Sequence, residues 1–316
     1  MRIEAFSEAR EPAHPHTNED ALVILPGRAY AVIDGVTDRN GTRYDGMLAG
    51  RYAARVVAHA LTTLFATDAP AAEAVVPALT AALRAAYARH GVTPDPANWG
   101  GRMCCTLALA IPRDGDAVDV VLVGDSGIRL DGGPVLQMHK DLDQITALLR
   151  AAAWPHIRGD AVAREQIARQ VVFHGIRQTI AGLDLDAIGT AAAAACHASL
   201  PHVPTADIAF LLEGGIVNGQ GHYQNRTDSV LGYACLDGFA VPPGLIRVER
   251  HTAQTIEAFT DGYARPAPGF GITAWEADFA ATERLDPSKI GPYKSVKGSI
   301  PGRWSDDRTY LGVTPS

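Results

Sequence analysis

Residues 18–35 read NEDALVILPGRAYAVIDG, and this stretch decides the fold. Two apolar runs flank the turn pair Pro26-Gly27, a pattern typical of a β-hairpin. Carboxyl side chains stand at the open end of the hairpin: Glu19 and Asp20 precede the first run, and Asp34 follows the second. The stretch therefore predicts two buried antiparallel strands that carry acidic groups at one end.

Outward from this hairpin, the chain alternates groups of short apolar runs with long Ala-rich stretches. The strands come in hairpin-like groups, and helices are inserted between them in blocks, which differs from regular β-α-β alternation. We therefore predict an α+β fold in which two antiparallel sheets stack face to face with helices outside, a four-layer α/β/β/α sandwich. The predicted strands are 2–8, 21–25, 29–33, 104–111, 117–123, 128–130, 207–212, 229–236, 245–249, 255–260 and 309–313; the predicted helices are 47–65, 72–90 and a block from about 140 to 198, broken at Gly182.

Composition excludes several classes of protein. The chain has 316 residues, of which 47% are hydrophobic and 20% charged, and its net charge of −7 argues against a nucleic-acid-binding protein. The first residues lack the apolar core of a signal peptide, and no window is apolar enough to span a membrane. The four cysteines show no C-x-x-C spacing. Cys104 and Cys105 are expected to point to opposite faces of a strand as small buried hydrophobic residues. These features predict a reduced, cytoplasmic protein without a membrane or nucleic-acid partner.

The hairpin is not the only place where carboxyl groups stand at strand ends. Asp125 and Asp261 follow apolar runs, and Asp306 lies just before the last one. A single aspartate at such a place is most often a turn residue. Several strand ends can converge on one rim, however, and buried carboxylates cannot stay ionised together without cations between them. Hard oxygen ligands without clustered thiols or imidazoles favour Mg²⁺ or Mn²⁺.

In its motifs the sequence resembles the metal-dependent, type 2C-like (PPM) serine/threonine protein phosphatases. The resemblance extends from Asn18 to Val313. The motifs that carry it are NEDA (18–21), VIDGV (32–36), GRMCCTLAL (101–109), VGDSG (123–127), FTDGY (259–263) and SDDRT (305–309). It implies one type 2C-like domain over residues 1–316, with a helical insertion at about 140–200, and a fold of two central antiparallel sheets flanked by helices.

The resemblance also implies roles for the carboxyl groups. Asp34 would bridge two Mn²⁺ or Mg²⁺ ions, and Gly35 would offer its carbonyl to one of them, with Glu19 nearby. Asp261 and Asp306 would hold the other ion. Two further roles follow for the remaining acids: Asp20 would orient ligands or waters, which makes Asp34 and Asp20 the catalytic pair, and Asp125 would belong to a third, weaker metal position.

Two positions depart from the family pattern. Pro15 stands where the family usually has the arginine that binds the substrate phosphate, so other cationic side chains have to supply this contact. Val36 stands where many members have a histidine, and valine cannot act as a general acid. The candidates for the phosphate contact are His14, His16, Arg10 and Arg39.

These residues predict hydrolysis of phosphoserine or phosphothreonine monoesters in a phosphoprotein substrate, by attack of a metal-bridging hydroxide. Two alternatives remain open: a weak or inactive member that serves as a binding or regulatory module, and a phosphatase of a small phosphorylated metabolite. The helical block is expected either to recognise the substrate or only to cover a sheet. The pair Asn218-Gly219 predicts a hairpin rather than a nucleotide-binding loop. The oligomeric state does not follow from the sequence.

Overall fold

The computed structural model describes residues 1–38, 40–67, 69–95 and 101–315. Within these ranges the chain forms twelve strands and seven α-helices. It divides into two compact units. The sandwich unit contains Met1–His139, Ala234–Phe279 and Asp306–Ser316, and the helical unit contains Lys140–Tyr233 and Ala280–Ser305.

Two five-stranded antiparallel sheets and one short hairpin make up the strands of the sandwich unit. Sheet I contains, in spatial order, β1 (Arg2–Glu8), β12 (Arg308–Thr314), β11 (Ile256–Phe259), β8 (Gly127–Leu130) and β9 (Val135–Leu136). Sheet II contains β10 (Arg247–Thr252), β7 (Ala117–Val123), β6 (Cys105–Pro112), β3 (Ala29–Gly35) and β2 (Ala21–Leu25). The short hairpin pairs β4 (Arg43–Tyr44) with β5 (Met47–Leu48). The predicted hairpin around Pro26-Gly27 is confirmed as β2 and β3.

The interior of the sandwich lies between the two sheets. Val32, Ala108 and Leu122 of sheet II pack in one buried cluster with Ala258 and Leu311 of sheet I. Because successive side chains of a strand point to opposite faces, the neighbours of these residues in β3 and β6 face away from this cluster. Sheet II is covered on both faces, which explains why its central strands read as continuous apolar runs.

Helices cover the outer faces of the sandwich unit. On sheet II, Val57 and Leu61 of α1 (Ala49–Leu64) and Leu79 and Leu83 of α2 (Ala72–Arg89) share a buried cluster with Ile33 of β3. On sheet I, the indole ring of Trp275 in α7 (Ile272–Leu285) lies 4.7 Å from the ring of Phe259 and 4.9 Å from that of Tyr310. These layers confirm the predicted α+β sandwich with two antiparallel sheets flanked by helices.

The helical unit contains α3 (Asp141–Ala153), α4 (Ala161–His174), α5 (Leu185–Ser199) and α6 (Thr205–Tyr223). The predicted helical block from about 140 to 198 is confirmed, and Gly182 lies in the connection between α4 and α5. Whether this block is an insertion in a single domain stays a prediction. Among the described helices of the whole chain, none has both the length and the apolar character needed to cross a membrane.

Three predictions about residues 207–236 are wrong. The predicted strand 207–212 and the predicted hairpin at Asn218-Gly219 both belong to helix α6, because buried contacts at helical spacing outweigh the low helix propensity of this glycine-rich segment. The predicted strand at 229–236 forms only isolated bridges in the described chain, between Gln224 and Tyr233 and between Cys105 and Leu236.

The structure also corrects the prediction for the cysteines. Cys104 forms a disulfide with Cys235, while Cys105 and Cys196 are buried free thiols. The bridge between Cys105 and Leu236 brings the two segments side by side, a long-range contact that the cysteine spacing does not reveal. The two neighbouring side chains do have different surroundings. Cys105 packs in the core beneath α1 and α2, whereas Cys104 forms the disulfide. The cytoplasmic location stays a prediction.

Gly215 allows α6 to bend against α4, and this gives a testable difference between two glycines. Gly215 has φ +62°, and a Cβ there would lie 2.5 Å from the carbonyl oxygen of Val172. Gly182 also has a positive φ, of +80°, but a Cβ there would meet nothing within 4 Å. Gly182→Ala should therefore lower the free energy of unfolding by about 1–2 kcal/mol, and Gly215→Ala by at least about 3 kcal/mol. Urea unfolding of both variants measures the difference, and equal losses would contradict the proposed close contact.

Candidate metal centre

The predicted site residues lie at strand ends of both sheets. Asp34 is the last residue but one of β3, and Asp125 follows β7, both in sheet II. Asp261 follows β11 and Asp306 precedes β12, both in sheet I. Since the two sheets stack face to face, their strand ends can meet at one rim of the sandwich unit.

Three of these carboxyl groups form a tight cluster. Asp34, Asp125 and Asp261 each offer a carboxylate oxygen, and these oxygens lie within 4.8 Å of one another. A hydrogen bond joins the carboxyl groups of Asp34 and Asp261. Asp306 lies close enough for its charge to act on both of them. The fold thus gathers side chains that are far apart in the sequence, as the strand-end pattern predicts.

Repulsion between like charges adds to desolvation at this cluster. Burial raises the pKa of Asp34 well above its usual value, and the negative charges of Asp20 and Asp306 raise it further. The pKa of Asp261 is raised by desolvation, then by the charges of Asp34 and Asp125. The side chain of Asp261 is open to solvent on one side, so the direction of its shift rests on the neighbouring carboxylates as much as on burial. The cluster is poorly suited to full ionisation without cations.

Asp20 differs from the clustered carboxyls because hydroxyl groups hold it. Its Oδ2 accepts hydrogen bonds from Thr260 Oγ1 at 2.9 Å and from Thr309 Oγ1 at 2.8 Å. Its Oδ1 is buried and has no hydrogen-bond partner among the described residues. Burial raises the pKa of Asp20 well above its usual value, and the charge of Asp307 raises it further. A fixed carboxylate with one unused buried oxygen is suited to orient a water or a metal ligand.

Glu19 and Gly35 lie where the first helix approaches the site. Thr37 Oγ1 donates to Glu19 Oε2 at 2.9 Å. A Cβ at Gly35 would lie 2.6 Å from the carbonyl oxygens of Glu19 and Gly50, so only glycine fits there. Glu19 is not part of the cluster formed by Asp34, Asp125 and Asp261.

The donor chemistry of the cluster fits a hard divalent cation. The three clustered residues offer carboxylate oxygens alone, which are the ligands that Mg²⁺ and Mn²⁺ prefer. The thiol of Cys105 is close enough to feel the charge of Asp34, but burial and this charge raise the pKa of the thiol. A protonated thiol is a poor metal ligand. The raised carboxyl pKa values and the unused Oδ1 of Asp20 also fit a site that is completed by cations.

The structure separates the candidates for the phosphate contact. His14 and His16 are exposed on the segment before β2, and His14 Nδ1 lies 3.4 Å from a carboxylate oxygen of Glu11. The backbone N–H of Arg10 donates to Asp307 Oδ1 at 2.6 Å, and the side-chain Nη1 of Arg10 is buried. Arg39 lies outside the described residues.

Two residues of the site are missed by the sequence reasoning. Asp307 accepts hydrogen bonds from the backbone N–H groups of Arg10 and Glu19, which ties β1 and β2 to the start of β12. Arg51, in the first turn of α1, donates through Nη1 to the carbonyl oxygen of Asn18. Both contacts join segments that are distant in the sequence. An arginine at a helix N-terminus, where acidic residues are favoured, is the one local signal that could have identified Arg51.

The segment after Asp34-Gly35 is held by hydrogen bonds to the backbone. Val36 donates its backbone N–H to the carbonyl oxygen of Cys104 at 2.9 Å. The carboxylate of Asp38 accepts from the backbone N–H of Thr42 and, at 2.9 Å, from that of Gly101. Asp38 therefore acts as a structural hydrogen-bond acceptor for the loop that follows the site.

Comparison with known proteins finds only distant structural neighbours. No protein-family model and no curated protein sequence matches the chain. Among solved structures, the PPM Ser-Thr phosphatase MsPP from Mycobacterium smegmatis, in complex with cacodylate, has 15% sequence identity and a TM-score of 0.44, covering 100% of this chain and 99% of that chain. Serine/threonine phosphatase Stp1 from Staphylococcus aureus has 13% identity and a TM-score of 0.45, covering 100% and 95%. The photosystem II phosphatase PBCP has 12% identity and a TM-score of 0.46, covering 100% and 98%. Because this likeness is so distant, the chemistry of the chain has to be inferred from its own site.

The raised carboxyl pKa values predict how the stability of the metal-free protein depends on pH. The folded protein holds these protons more tightly than the unfolded chain does, so they favour folding below the ordinary carboxyl value of 3.8. This contribution is lost as the pH rises through the raised values. In EDTA, the free energy of unfolding should therefore fall as the pH rises above the ordinary carboxyl value of 3.8 and through the raised pKa values of Asp34 and Asp261. Asp261→Asn should make this fall shallower, because it removes one of the repelling charges.

Urea unfolding across this pH range measures the effect. Asp114→Asn, which removes an exposed carboxyl group in the turn between β6 and β7, is the matched control and should keep the slope of the parent protein. If the free energy of unfolding fell with pH equally steeply in Asp261→Asn and in the parent protein, repulsion between the clustered carboxylates would not destabilise the fold.

Proposed function

We propose that this chain is a metal-dependent phosphatase that hydrolyses phosphoserine and phosphothreonine monoesters. The observation that carries the proposal is the meeting of Asp34, Asp125 and Asp261 within 4.8 Å, from three strand ends in two sheets. A structural role does not explain this arrangement, since clustered carboxyl groups repel one another once they are ionised and then oppose folding. A catalytic role for bound cations does explain it.

The ligand assignment is the one that the resemblance to the type 2C-like phosphatases implies. Asp34 and Gly35, with Glu19 nearby, would serve one Mn²⁺ or Mg²⁺ ion, and Asp34, Asp261 and Asp306 would serve the second. Asp125 would belong to a third, weaker position, and one of its carboxylate oxygens lies within 4.8 Å of those of Asp34 and Asp261. When bound, the ions would supply an activated water near neutral pH and positive charge for the phosphoryl oxygens.

The protein's own residues then position the reaction. Asp20, fixed by Thr260 and Thr309, would accept a hydrogen bond from a water through its free Oδ1. Val36 has no proton to give to the leaving group, so solvent has to supply it. The reaction should therefore be most effective on phosphate monoesters with good leaving groups.

The nature of the substrate is the finer part of the proposal. A phosphoprotein is the substrate that we propose first, because the motifs that contain Asp34 and Asp261 resemble those of serine/threonine protein phosphatases. A small phosphorylated metabolite would use the same chemistry, and a panel of phosphopeptides and phosphorylated metabolites distinguishes the two. Nucleic-acid and membrane partners remain unexpected.

A second candidate function is a binding or regulatory module with little or no turnover. It is favoured by two departures in one site, Pro15 in place of an arginine and Val36 in place of a histidine. The retained carboxyl cluster favours the enzyme, because these acidic groups have little use unless a metal binds.

The activity test uses para-nitrophenyl phosphate and a phosphopeptide with Mn²⁺, Mg²⁺ or EDTA. Turnover should require metal, and Asp34→Ala and Asp261→Ala should each lower kcat at least about 100-fold, because each removes a charged group that the reaction depends on. Asp114→Ala removes an exposed carboxyl group elsewhere and should leave kcat unchanged. Metal-independent turnover, or full turnover in Asp34→Ala, would contradict the proposal.

Titration calorimetry with Mn²⁺ decides between the two candidate functions. Binding of Mn²⁺ that is lost in Asp34→Ala, together with no turnover on any phosphoester, would establish the module. Binding together with metal-dependent turnover would establish the enzyme.

The missing general acid makes a separate prediction. The parent protein should hydrolyse para-nitrophenyl phosphate far faster than phenyl phosphate, whose leaving group is a stronger base. Val36→His should narrow this ratio, because a positioned general acid typically contributes at least about 100-fold for a poor leaving group. Val36→Gln, which is polar but cannot donate a proton as an acid at neutral pH, is the control. An unchanged ratio in Val36→His would mean that position 36 does not face the leaving group.

A further inference from the structure

The proposed reaction needs a cationic side chain to bind the substrate phosphate. In the family that the motifs resemble, an arginine usually has this role, and Pro15 stands at its position. A phosphate dianion that approaches a rim of carboxylates is repelled unless positive charge from the protein or from metal ions receives it. We propose that Arg51, at the start of α1, binds the phosphate group of the substrate. This inference rests on the proposed phosphatase function and names a residue of the same site.

The backbone of α1 touches the site directly before Arg51. A Cβ at Gly50 would lie 2.3 Å from the carbonyl oxygen of Val36 and 2.8 Å from Glu19 Oε1. Gly50 therefore allows the helix to approach the two segments that carry Glu19 and Gly35. Arg51 is the next residue, so its Cα is held beside the proposed metal ligands by the backbone rather than by a flexible loop.

The guanidinium of Arg51 is anchored but keeps donors for a ligand. Its Nη1 donates to the carbonyl oxygen of Asn18, the residue before Glu19. Within the described residues this is the one hydrogen bond that the guanidinium makes, and an arginine has five N–H groups to donate. The residue is half-buried, so part of it reaches solvent. A fixed and partly open guanidinium matches the bidentate geometry of a phosphate.

The charge at position 51 is unfavourable for the helix. A cation in the first turn opposes the helix dipole. Arg55 lies one turn later with the same charge, and burial together with Arg55 lowers the pKa of Arg51. The charges of Asp307 and Glu19 raise this pKa, because the guanidinium lies near these two acids. A residue that opposes local stability and faces the site in this way is explained by a functional role.

The other described cations are less suited to this contact. Arg10 is half-buried, as Arg51 is, but its Nη1 lies buried without a hydrogen-bond partner among the described residues, so it lacks the anchor that Asn18 gives to Arg51. The backbone N–H of Arg10 is tied to Asp307. His14 and His16 are exposed, and His14 is paired with Glu11. Neither histidine offers the planar fork of a guanidinium. Arg51 combines anchoring, partial exposure and closeness to Glu19.

The test measures the binding of inorganic phosphate to the Mn²⁺-loaded protein, by calorimetry and by inhibition of para-nitrophenyl phosphate hydrolysis. Arg51→Ala should weaken phosphate binding about 10- to 100-fold, as expected for the loss of a hydrogen-bonded charge. Arg51→Lys should restore part of this loss, because it returns the charge without the fork. Mn²⁺ affinity and the unfolding temperature should stay close to those of the parent protein, which a merely structural role would not predict.

Two further variants serve as controls. Arg55→Ala removes the same charge one turn later from an exposed position and should change phosphate affinity less than about threefold. A loss as large as that of Arg51→Ala would show a general charge effect and overturn the inference. Arg10→Ala tests the competing residue, and a loss confined to Arg10→Ala would also overturn it.

The inference and the proposed function can fail separately. If the parent protein binds phosphate through Arg51 but hydrolyses no phosphoester, the phosphatase proposal fails and the phosphate site remains. If the protein is an active metal-dependent phosphatase and Arg51→Ala binds phosphate as the parent does, the role of Arg51 fails and the phosphatase proposal remains.

Discussion

Repulsion between carboxyl groups at one rim of the sandwich unit is the constraint on which the rest of the site depends. Asp34 and Asp261 share a hydrogen bond, and the charges of Asp125 and Asp306 act on the same small region. The surrounding protein relieves only part of this repulsion. Backbone N–H groups hold Asp307 and hydroxyl groups hold Asp20, but neither adds a positive charge. Shared protons or cations have to complete the balance, so the proposed metal binding would be coupled to folding at this rim.

The sandwich and its acidic rim could be predicted because their signals are local. The apolar run in β3 is continuous because both faces of the strand are covered. Val32 packs against sheet I, and Ile33 packs against α1 and α2. Asp34 follows this run directly and is still paired with Thr106 of β6, so its carboxyl group stands at the end of a buried strand. The same reasoning failed in the helical unit. There the glycine-rich α6 is held by packing. Glycine is needed at position 215 because α4 lies so close that a side chain would clash with it. No property of the segment alone shows this contact.

The roles of Arg51 and Asp307 could not be predicted, since each depends on a contact between distant segments. Asp307 reads as the second half of an acidic pair before β12, and only the fold shows that it accepts from Arg10 and Glu19. Arg51 reads as a surface residue of an amphipathic helix until Gly50 is seen against Val36 and Glu19. The pairing of Cys104 with Cys235 is hidden for the same reason.

Residues of one chemical type are thus divided into different roles by their surroundings. Asp20 and Asp34 are both acids at ends of the same hairpin, and burial raises the pKa of both. One oxygen of Asp20 accepts hydrogen bonds from two hydroxyl groups, so the orientation of its carboxylate is fixed. Asp34 instead meets another carboxyl group, and only a shared proton or a cation relieves the repulsion between the two. In the proposed site the hairpin would therefore provide one acid that orients a water, Asp20, and one that binds metal, Asp34. This division depends on the side chains that sheet I brings to each acid. Thr260 and Thr309 lie beside Asp20, and Asp261 lies beside Asp34.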